Sequence, residues 1–147
     1  MLQFFEKNPD ASLHFDCIEQ DQNAVNYAQE LCKNFLPNIT FHVKNALRFQ
    51  STTKYDLIWS AGLFDYFDDK VFVHLLKKLG SMLEGGGEIV IGNFSTMNPS
   101  KSYMEVFEWH LHHRSPNTLK YLAKSAGFTN ITIGKEPEGV NLFLHIV

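Results

Sequence analysis

Polar side chains follow two apolar segments of the sequence, at points where strands are expected to end. Glu19 and Gln20 come directly after one segment, and Asn45 and Ala46 follow the next. A carboxylate can accept hydrogen bonds from the two hydroxyls of a ribose, and an asparagine amide can pair with the edge of an adenine. The pattern therefore favours a nucleoside-binding site, although a solvated loop carboxylate and an ordinary loop asparagine remain alternatives.

A second group of candidate residues follows the apolar segment 55–60. Ser60, Ala61 and Gly62 are small and would let the backbone approach a ligand closely. Asp65 and Tyr66 then offer a carboxylate and a phenol that can accept a proton from a hydroxyl or an amine. We predict a catalytic role for these two residues. The alternative is a strand-to-helix connection that needs small residues only for packing.

The third group begins after the segment 88–92 and is predicted to bind substrate. Asn93 stands at the end of that segment, and an aromatic stretch containing Tyr103, Phe107 and Trp109 follows. These rings can line an acyl pocket, although a helical aromatic stripe is more often core. Arg114 is a candidate clamp for a substrate carboxylate, because its planar fork matches that group; a surface arginine is the alternative.

Histidine and cysteine spacing does not favour a metal site. The spacings between His110, His112 and His113 are two positions and one, which places them on different sides of a helix, and no carboxylate or cysteine completes a ligand set. Cys17 and Cys32 each lie in an apolar pattern. We interpret both as reduced, buried small hydrophobic residues.

The elements that must position these residues alternate between strands and helices. Pro9, in the segment Asn8-Pro9-Asp10, is expected to stop a first helix, Asp21 and Asp68 to cap helices, and Ser115-Pro116 to start another. Gly85-Gly86-Gly87 is expected to end a helix, and residues 57–59 to be buried. The pattern predicts strands over 13–19, 39–43, 55–60, 88–92, 128–134 and 140–147, and helices over 2–7, from Asp21 to about Phe35, from Asp68 to Leu83, 101–113 and from Ser115 to Ala126.

This order predicts an α/β fold of Rossmann-like type. Strand–helix alternation indicates a mostly parallel sheet with helices on both faces, and the short connection between the last two strands indicates an antiparallel hairpin. A length of 147 residues predicts one domain, 1–147. The candidate site residues follow the carboxyl ends of the predicted strands, which is where ligands of such sheets bind.

Composition narrows the classes of partner. A net charge of −3 and the absence of a Lys/Arg run argue against nucleic acid and anionic membranes as partners. No apolar run is long enough for a membrane span, and the N-terminus lacks a signal-peptide layout. We therefore expect a soluble, cytoplasmic protein that acts on a small molecule.

The sequence resembles class I S-adenosylmethionine-dependent methyltransferases over nearly its whole length. The resemblance is carried by the acid at Glu19, by YDLIWSAGLFDY (55–66), by the stretch Leu76–Gly92 with its three glycines, and by the terminal hairpin. It implies S-adenosylmethionine as cofactor. Glu19 would bind the ribose with Gln20 beside it, Asn45 and Ala46 would hold the adenine, and Ser60, Ala61 and Gly62 would line the methionine part.

A narrower resemblance concerns the substrate. SAGLFDY (60–66), GNF (92–94), NPS (98–100) and YMEVFEWHLHHRS (103–115) are similar to bacterial enzymes for the biosynthesis of a 3-hydroxypalmitic acid methyl ester, an extracellular signal. That resemblance implies methylation of the carboxylate of a 3-hydroxy fatty acid.

The sequence departs from the family at its start. The expected first strand and its GxGxG-type loop do not precede Leu13, which suggests an N-terminally truncated domain whose sheet lacks its central strand. Strands ending at Glu19 and Ser60 would then each have an unpaired side. Two alternatives stay open: a non-catalytic remnant that forms homo-oligomers through its incomplete sheet, and a fragment of an NAD-type Rossmann oxidoreductase.

Overall fold

The structure, a computed structural model, describes residues 2–8 and 11–147, without the side chain of Leu2. The chain divides into two compact units, residues 1–50 and 51–147, and each is described by itself below. The single domain expected over 1–147 stays a prediction. The helix break expected at Pro9 and Asp10 lies outside the described residues.

The first unit contains a parallel two-stranded sheet. Its elements are α1 (Leu2–Lys7), β1 (Phe15–Glu19), α2 (Gln22–Leu31) and β2 (Ile39–Val43). β1 and β2 run parallel, with Phe15 opposite Ile39 and Glu19 opposite Val43. Their carboxyl ends therefore meet at one edge.

Helix α2 begins as predicted and ends earlier than predicted. The Asp21 side chain accepts a hydrogen bond from the Asn23 N–H and caps the helix. The apolar pattern continues to Phe35, but α2 ends at Leu31 and a 3₁₀ segment, Lys33–Asn38, follows. Pro37 lies inside that segment and has no N–H to extend an α-helix.

A small aromatic core holds the first unit together. Phe5, Cys32 and Ile39 are buried, and four partly buried residues pack against them: Phe15, Cys17, Phe35 and Phe41. The Phe5 ring stacks on Phe35 with centroids 5.2 Å apart. Both cysteines are reduced thiols, Cys32 buried and Cys17 partly buried; burial raises the pKa of the Cys17 thiol.

The second unit is a mixed four-stranded sheet with order β3-β4-β6-β5. β3 and β4 are parallel, whereas β6 is antiparallel to both β4 and β5, so the predicted terminal hairpin is confirmed. α3 packs on β4 and α5, and α5 packs on β5 and β6. The bounds are β3 (Tyr55–Ala61), α3 (Asp69–Ser81), β4 (Leu83–Phe94), α4 (Lys101–Val106), α5 (Pro116–Ser125), β5 (Ile131–Lys135) and β6 (Asn141–Ile146).

Two of the predicted helix starts in this unit are confirmed by their caps. Asp68 accepts a hydrogen bond from the Val71 N–H at the start of α3. Ser115 accepts one from the Thr118 N–H at the start of α5, where Pro116 occupies the first turn.

The three consecutive glycines lie in a strand, so the prediction that they end a helix was wrong. α3 ends at Ser81, and Gly85, Gly86 and Gly87 belong to β4. Between the pairs Tyr55–Leu83 and Leu57–Glu88 the register with β3 shifts. The glycines form this bulge, and Gly86 has a φ of 86° that a side chain would strain.

The helix predicted over 101–113 is much shorter. α4 ends at Val106, and Glu108 adopts a left-handed φ of 57°. The chain then runs back to the carboxyl end of β4, where Arg114 forms a parallel bridge with Ser95. Tertiary pairing of this segment overrides its helical pattern.

One face of β3 is exposed, against the prediction that residues 57–59 are buried. Leu57 and Trp59 point to the same side and are 54% and 58% exposed. Within the part of the chain that the structure describes, β1 pairs only with β2 and β3 pairs only with β4. The proposed missing strand itself stays a prediction.

None of the helices in the described ranges is both long enough and apolar enough to cross a lipid bilayer.

Candidate functional site

In the first unit, the predicted polar residues meet at the carboxyl ends of β1 and β2. The Asn45 side-chain N–H donates to Gln20 Oε1 at 2.9 Å. Glu19 Oε1 accepts a hydrogen bond from the Asp21 N–H at 2.8 Å, and the Glu19 carbonyl accepts one from Lys44. The structure thus brings Glu19, Gln20 and Asn45 together from two strands.

The loop after β2 is shaped by Asn45 itself. Asn45 Oδ1 accepts a hydrogen bond from the Leu47 N–H at 2.9 Å, which closes an Asx turn around the partly buried Ala46. The Glu19 carboxylate is exposed. Glu19 precedes Gln20, whose side chain is hydrogen-bonded to Asn45 of this turn. An exposed carboxylate beside side-chain amides suits a ligand with vicinal hydroxyls and a heterocyclic edge.

In the second unit, the end of β3 borders an apolar cavity of about 400 Å³. Gly62 has a φ of 86° there, a conformation that favours glycine. Ser60 is not among the residues around this cavity. The lining consists of Ala61, Gly62, Leu63, Tyr66, Phe94, Trp109 and Leu111.

Two polar groups in the cavity lining are hydrogen-bonded to each other. The Trp109 Nε1–H donates to the Tyr66 hydroxyl at 3.1 Å. Tyr66 and Trp109 were predicted site residues, and the structure joins them across 43 positions of sequence. Leu63, Phe94 and Leu111 were missed, because an apolar side chain carries no spacing signal for a ligand site.

Asp65 lies beneath the site, and its side chain is not part of the cavity lining. It is 1% exposed, and its Oδ1 accepts the Phe94 N–H at 2.7 Å. Burial raises the pKa of the Asp65 carboxyl to about 6, although the Phe94 N–H and the Arg114 charge act in the opposite direction. This geometry supports an anchor for the β4 end better than the predicted proton acceptor.

Arg114 is buried, and its hydrogen bonds disagree with the predicted substrate clamp. The side chain is 3% exposed, and its guanidinium lies 4.8 Å from the Phe72 ring centroid. All five N–H groups have protein acceptors, so no donor is left for a substrate carboxylate. The acceptors are Asp69 Oδ1 for Nε (3.2 Å) and Nη2 (3.0 Å), Phe64 O (3.1 Å) and Asn93 Oδ1 (2.8 Å) for Nη1, and Phe67 O (2.6 Å) for Nη2.

Asn93 belongs to the same hydrogen-bond network, and its contacts also disagree with the predicted substrate-binding role. It is fully buried, and its Oδ1 accepts from Arg114. Its Nδ2 donates to the carbonyls of Phe94 at 2.9 Å and His112 at 3.0 Å. Since both amide atoms are engaged inside the protein, Asn93 holds the β4 end and has no substrate-binding geometry here.

The aromatic stretch is divided by the end of α4. Trp109 lines the cavity, whereas Tyr103 and Phe107 are exposed and contact each other with ring centroids 4.9 Å apart. Tyr103 is therefore outside the cavity that it was predicted to line. Helical periodicity does not continue to Trp109, because Glu108 turns the chain.

Among the histidines after α4, His113 makes side-chain contacts within the protein. His113 lies 3.2 Å from the Asn98 side-chain amide through Nε2, and its ring stacks on Phe94. Across residues 2–8 and 11–147, no three His, Cys, Asp or Glu side chains are grouped to hold a metal ion.

We expect Asp65 to make stability depend on pH. A folded pKa of about 6, against a usual value of 3.8, stabilises the fold below pH ~4, and this contribution is lost as the pH rises through 6. The loss is on the order of 3 kcal/mol. Asp65→Asn keeps an oxygen for the Phe94 N–H, so urea unfolding at pH 4 to 7.5 should show this slope removed.

The exposed carboxyl of Asp56, in β3, offers a matched control for that experiment. Asp56→Asn should leave the pH dependence of unfolding as it is in the unchanged chain. An Asp65→Asn variant with the same slope as the unchanged chain would show that Asp65 does not cause it.

Comparison with known proteins places this geometry in a family. A family model described as a methyltransferase domain matches residues 2–87. Malonyl-[acyl-carrier protein] O-methyltransferase 1 of Ilyobacter polytropus is 35% identical over 72 residues, which are 49% of this chain and 25% of that protein.

Solved structures show the same fold at low sequence identity. The S-adenosylmethionine-dependent methyltransferase SibL has a TM-score of 0.79 and 14% identity, over 99% of this chain and 46% of that one. The N-methyltransferase NodS of Bradyrhizobium japonicum, in complex with S-adenosyl-L-homocysteine, has a TM-score of 0.69 and 18% identity, over 99% and 71%.

The match also has a defined extent. The chain spans a quarter of the length of the curated relative and about half of the length of SibL. The family model covers more than half of the chain, from α1 to the β4 bulge. The chain therefore belongs to the methyltransferase domain family.

Proposed function

We propose that this chain is part of an S-adenosylmethionine-dependent methyltransferase that methylates an oxygen of a small molecule. The observation that carries this proposal is the apolar cavity beside Ala61 and Gly62, at the carboxyl end of a parallel strand in a methyltransferase fold. The cofactor supplies a sulfonium methyl group as the electrophile. The family match argues against the NAD-type oxidoreductase alternative.

The residues proposed to contact the cofactor lie at or just after the carboxyl ends of β1, β2 and β3. Glu19 accepts hydrogen bonds from the ribose hydroxyls, with Gln20 beside it, and Asn45 and Ala46 hold the adenine. Ala61 and Gly62 border the methionine part, with Ser60 preceding them in β3. The exposed Glu19 carboxylate and the left-handed Gly62 are the structural observations that fit these roles.

The cavity favours an acceptor that is already a nucleophile. Its apolar lining can orient an acceptor oxygen toward the methyl group, which lowers the cost of reaching the reactive geometry. Among the described residues that line it, none has a carboxylate, amine, guanidinium or imidazole group to act as a base. A carboxylate acceptor needs no base, so we propose carboxyl methylation.

The proposed substrate is an acyl compound such as a 3-hydroxy fatty acid. The cavity's apolar lining suits an aliphatic chain. The curated relative from Ilyobacter polytropus, named for O-methyl transfer to malonyl-[acyl-carrier protein], supports an acyl acceptor as a class.

Calorimetric titration with S-adenosylhomocysteine tests the cofactor proposal. We expect binding to the unchanged chain, no binding of NAD, and an affinity about 10- to 100-fold lower for Glu19→Ala, because hydrogen bonds to a charged acceptor are lost. Glu30→Ala is the matched control, because its exposed carboxylate on α2 forms an ion pair with Lys33.

The contrary results of this titration are equally clear. NAD binding without any S-adenosylhomocysteine binding contradicts the proposal. Equal losses in Glu19→Ala and Glu30→Ala would show that the effect is not specific to Glu19.

Self-association is proposed as a property of the same chain. The exposed Leu57 and Trp59 lie on β3, whose described residues pair with one neighbouring strand only. Sheet edges of this kind template pairing with another chain. Light scattering of the titration sample measures it, and a mass of 16.9 kDa at high concentration would contradict a homo-oligomer.

A further inference from the structure

We infer that Tyr66 is a hydrogen-bond donor, held in place by Trp109, that selects ligands with an acceptor oxygen on an apolar body. This inference rests on the proposed function for the reaction and deepens it by naming how the cavity recognises its substrate. It also replaces the sequence-based interpretation of Tyr66 as a proton acceptor.

The direction of the Tyr66–Trp109 hydrogen bond follows from the chemistry of the two groups. An indole N–H is a donor only, so Tyr66 Oη must be the acceptor of the 3.1 Å contact. The phenolic hydrogen is then directed away from Trp109. Hydrogen bonds in a chain polarise one another, so the bond from Trp109 strengthens donation by Tyr66.

Tyr66 and Trp109 have the only polar side-chain groups among the cavity-lining residues that the structure describes. Ala61, Gly62, Leu63, Phe94 and Leu111 contribute no side-chain donor or acceptor. A ligand oxygen that enters the cavity can therefore bind the Tyr66 hydroxyl and place its carbon chain against apolar walls. A protonated amine is a donor only and cannot accept the Tyr66 O–H hydrogen, and it finds no carboxylate among the lining residues.

The backbone segments that carry Tyr66 and Trp109 are each held by hydrogen bonds. Tyr66 ends the 3₁₀ turn Phe64–Tyr66, and Arg114 binds the carbonyls of Phe64 and Phe67 on either side of it. The backbone N–H of Trp109 donates to the Met104 carbonyl at 3.0 Å, at the turn that follows α4. Because both backbones are anchored, the two side chains start from defined positions, and Tyr66, which is 57% exposed, can be reached by a ligand.

Nuclear magnetic resonance of the full chain tests the inference with decanoate as the probe. The sequence has two tryptophans, so two indole N–H signals are expected, and Trp59→Phe identifies the one from Trp109. We expect decanoate to shift the Trp109 signal saturably, and decylamine at the same concentration to bind at least tenfold more weakly.

Tyr66→Phe separates donation from packing. The variant keeps the ring and removes the hydroxyl, and we expect it to move the Trp109 indole signal upfield and to weaken decanoate binding about tenfold. Tyr103→Phe is the matched control, because Tyr103 is an exposed tyrosine of α4 outside the cavity. It should change neither the signal nor the affinity.

Several results would overturn the inference. These are no decanoate binding to the unchanged chain, equal binding of decanoate and decylamine, or unchanged decanoate affinity in Tyr66→Phe. S-Adenosylhomocysteine titration of the same variants keeps the two proposals apart. Decanoate binding through Tyr66 without cofactor binding would contradict the methyltransferase proposal alone, and the reverse pattern would contradict this inference alone.

Discussion

Replacing Arg114 by methionine is expected to lower the free energy of unfolding by about 3–5 kcal/mol, because buried acceptors lose their donor at about 1–3 kcal/mol each. Asn93 Oδ1 and the Phe64 carbonyl are the buried acceptors concerned, and the Phe67 carbonyl is partly buried. Methionine keeps an apolar chain against Phe72, so the loss reports mainly on the hydrogen bonds. The midpoint of urea unfolding, with an unchanged slope, measures it.

The other end of the ion pair provides the control for Arg114. Asp69 has a side chain that is 62% exposed, so Asp69→Asn should cost less than about 1 kcal/mol. Arg114→Lys should not restore stability, because a single ammonium cannot reach acceptors on both sides of the 3₁₀ turn. If Arg114→Met and Asp69→Asn cost the same, the carbonyl contacts do not contribute as described.

Replacing Gly87 by alanine is the second large effect, with an expected loss of about 1–3 kcal/mol. A Cβ at this position would lie 2.9 Å from the Asp56 carbonyl oxygen and 3.0 Å from that of Tyr55. Both neighbours are backbone atoms of β3, so relief requires the bulge between the two strands to open. Urea unfolding again provides the measurement.

Two neighbouring positions make this experiment specific. A Cβ at Gly85 has no atom within 4 Å, and its φ is not in the left-handed region, so Gly85→Ala should be close to neutral. Gly86→Ala should be destabilised by its φ of 86° although the surrounding space is open. Equal stability of Gly85→Ala and Gly87→Ala would refute close approach of β3 as the reason for glycine at 87.

Local signals in the sequence predicted most of the elements. The caps at Asp21, Asp68 and Ser115 are hydrogen bonds within three residues, so their partners are adjacent in sequence and the prediction is confirmed. The strand over 39–43 and the terminal hairpin are also confirmed. Alternation of apolar residues and short connections are enough to predict elements of this kind.

Predictions failed where an interaction over long sequence distance decides the conformation. The stretch 101–113 has a helical pattern, yet α4 ends at Val106 because Arg114 pairs with the β4 end. The three glycines are typical of a helix terminus, but the last of them, Gly87, lies against the backbone of Tyr55 and Asp56 in another strand. No local pattern carries information about those partners.

The candidate site divides in the same way. By itself, the sequence determined the residue types at the strand ends, namely Glu19, Asn45 and the small residues before Tyr66, since the carboxyl ends of parallel strands carry ligand sites in any fold of this class. Only the tertiary structure decided that the Arg114 guanidinium donates to the carbonyls of Phe64 and Phe67, and that Trp109 donates to Tyr66. A hydrogen-bond donor binds whichever acceptor the fold brings within about 3 Å, and that choice is made by packing between distant segments.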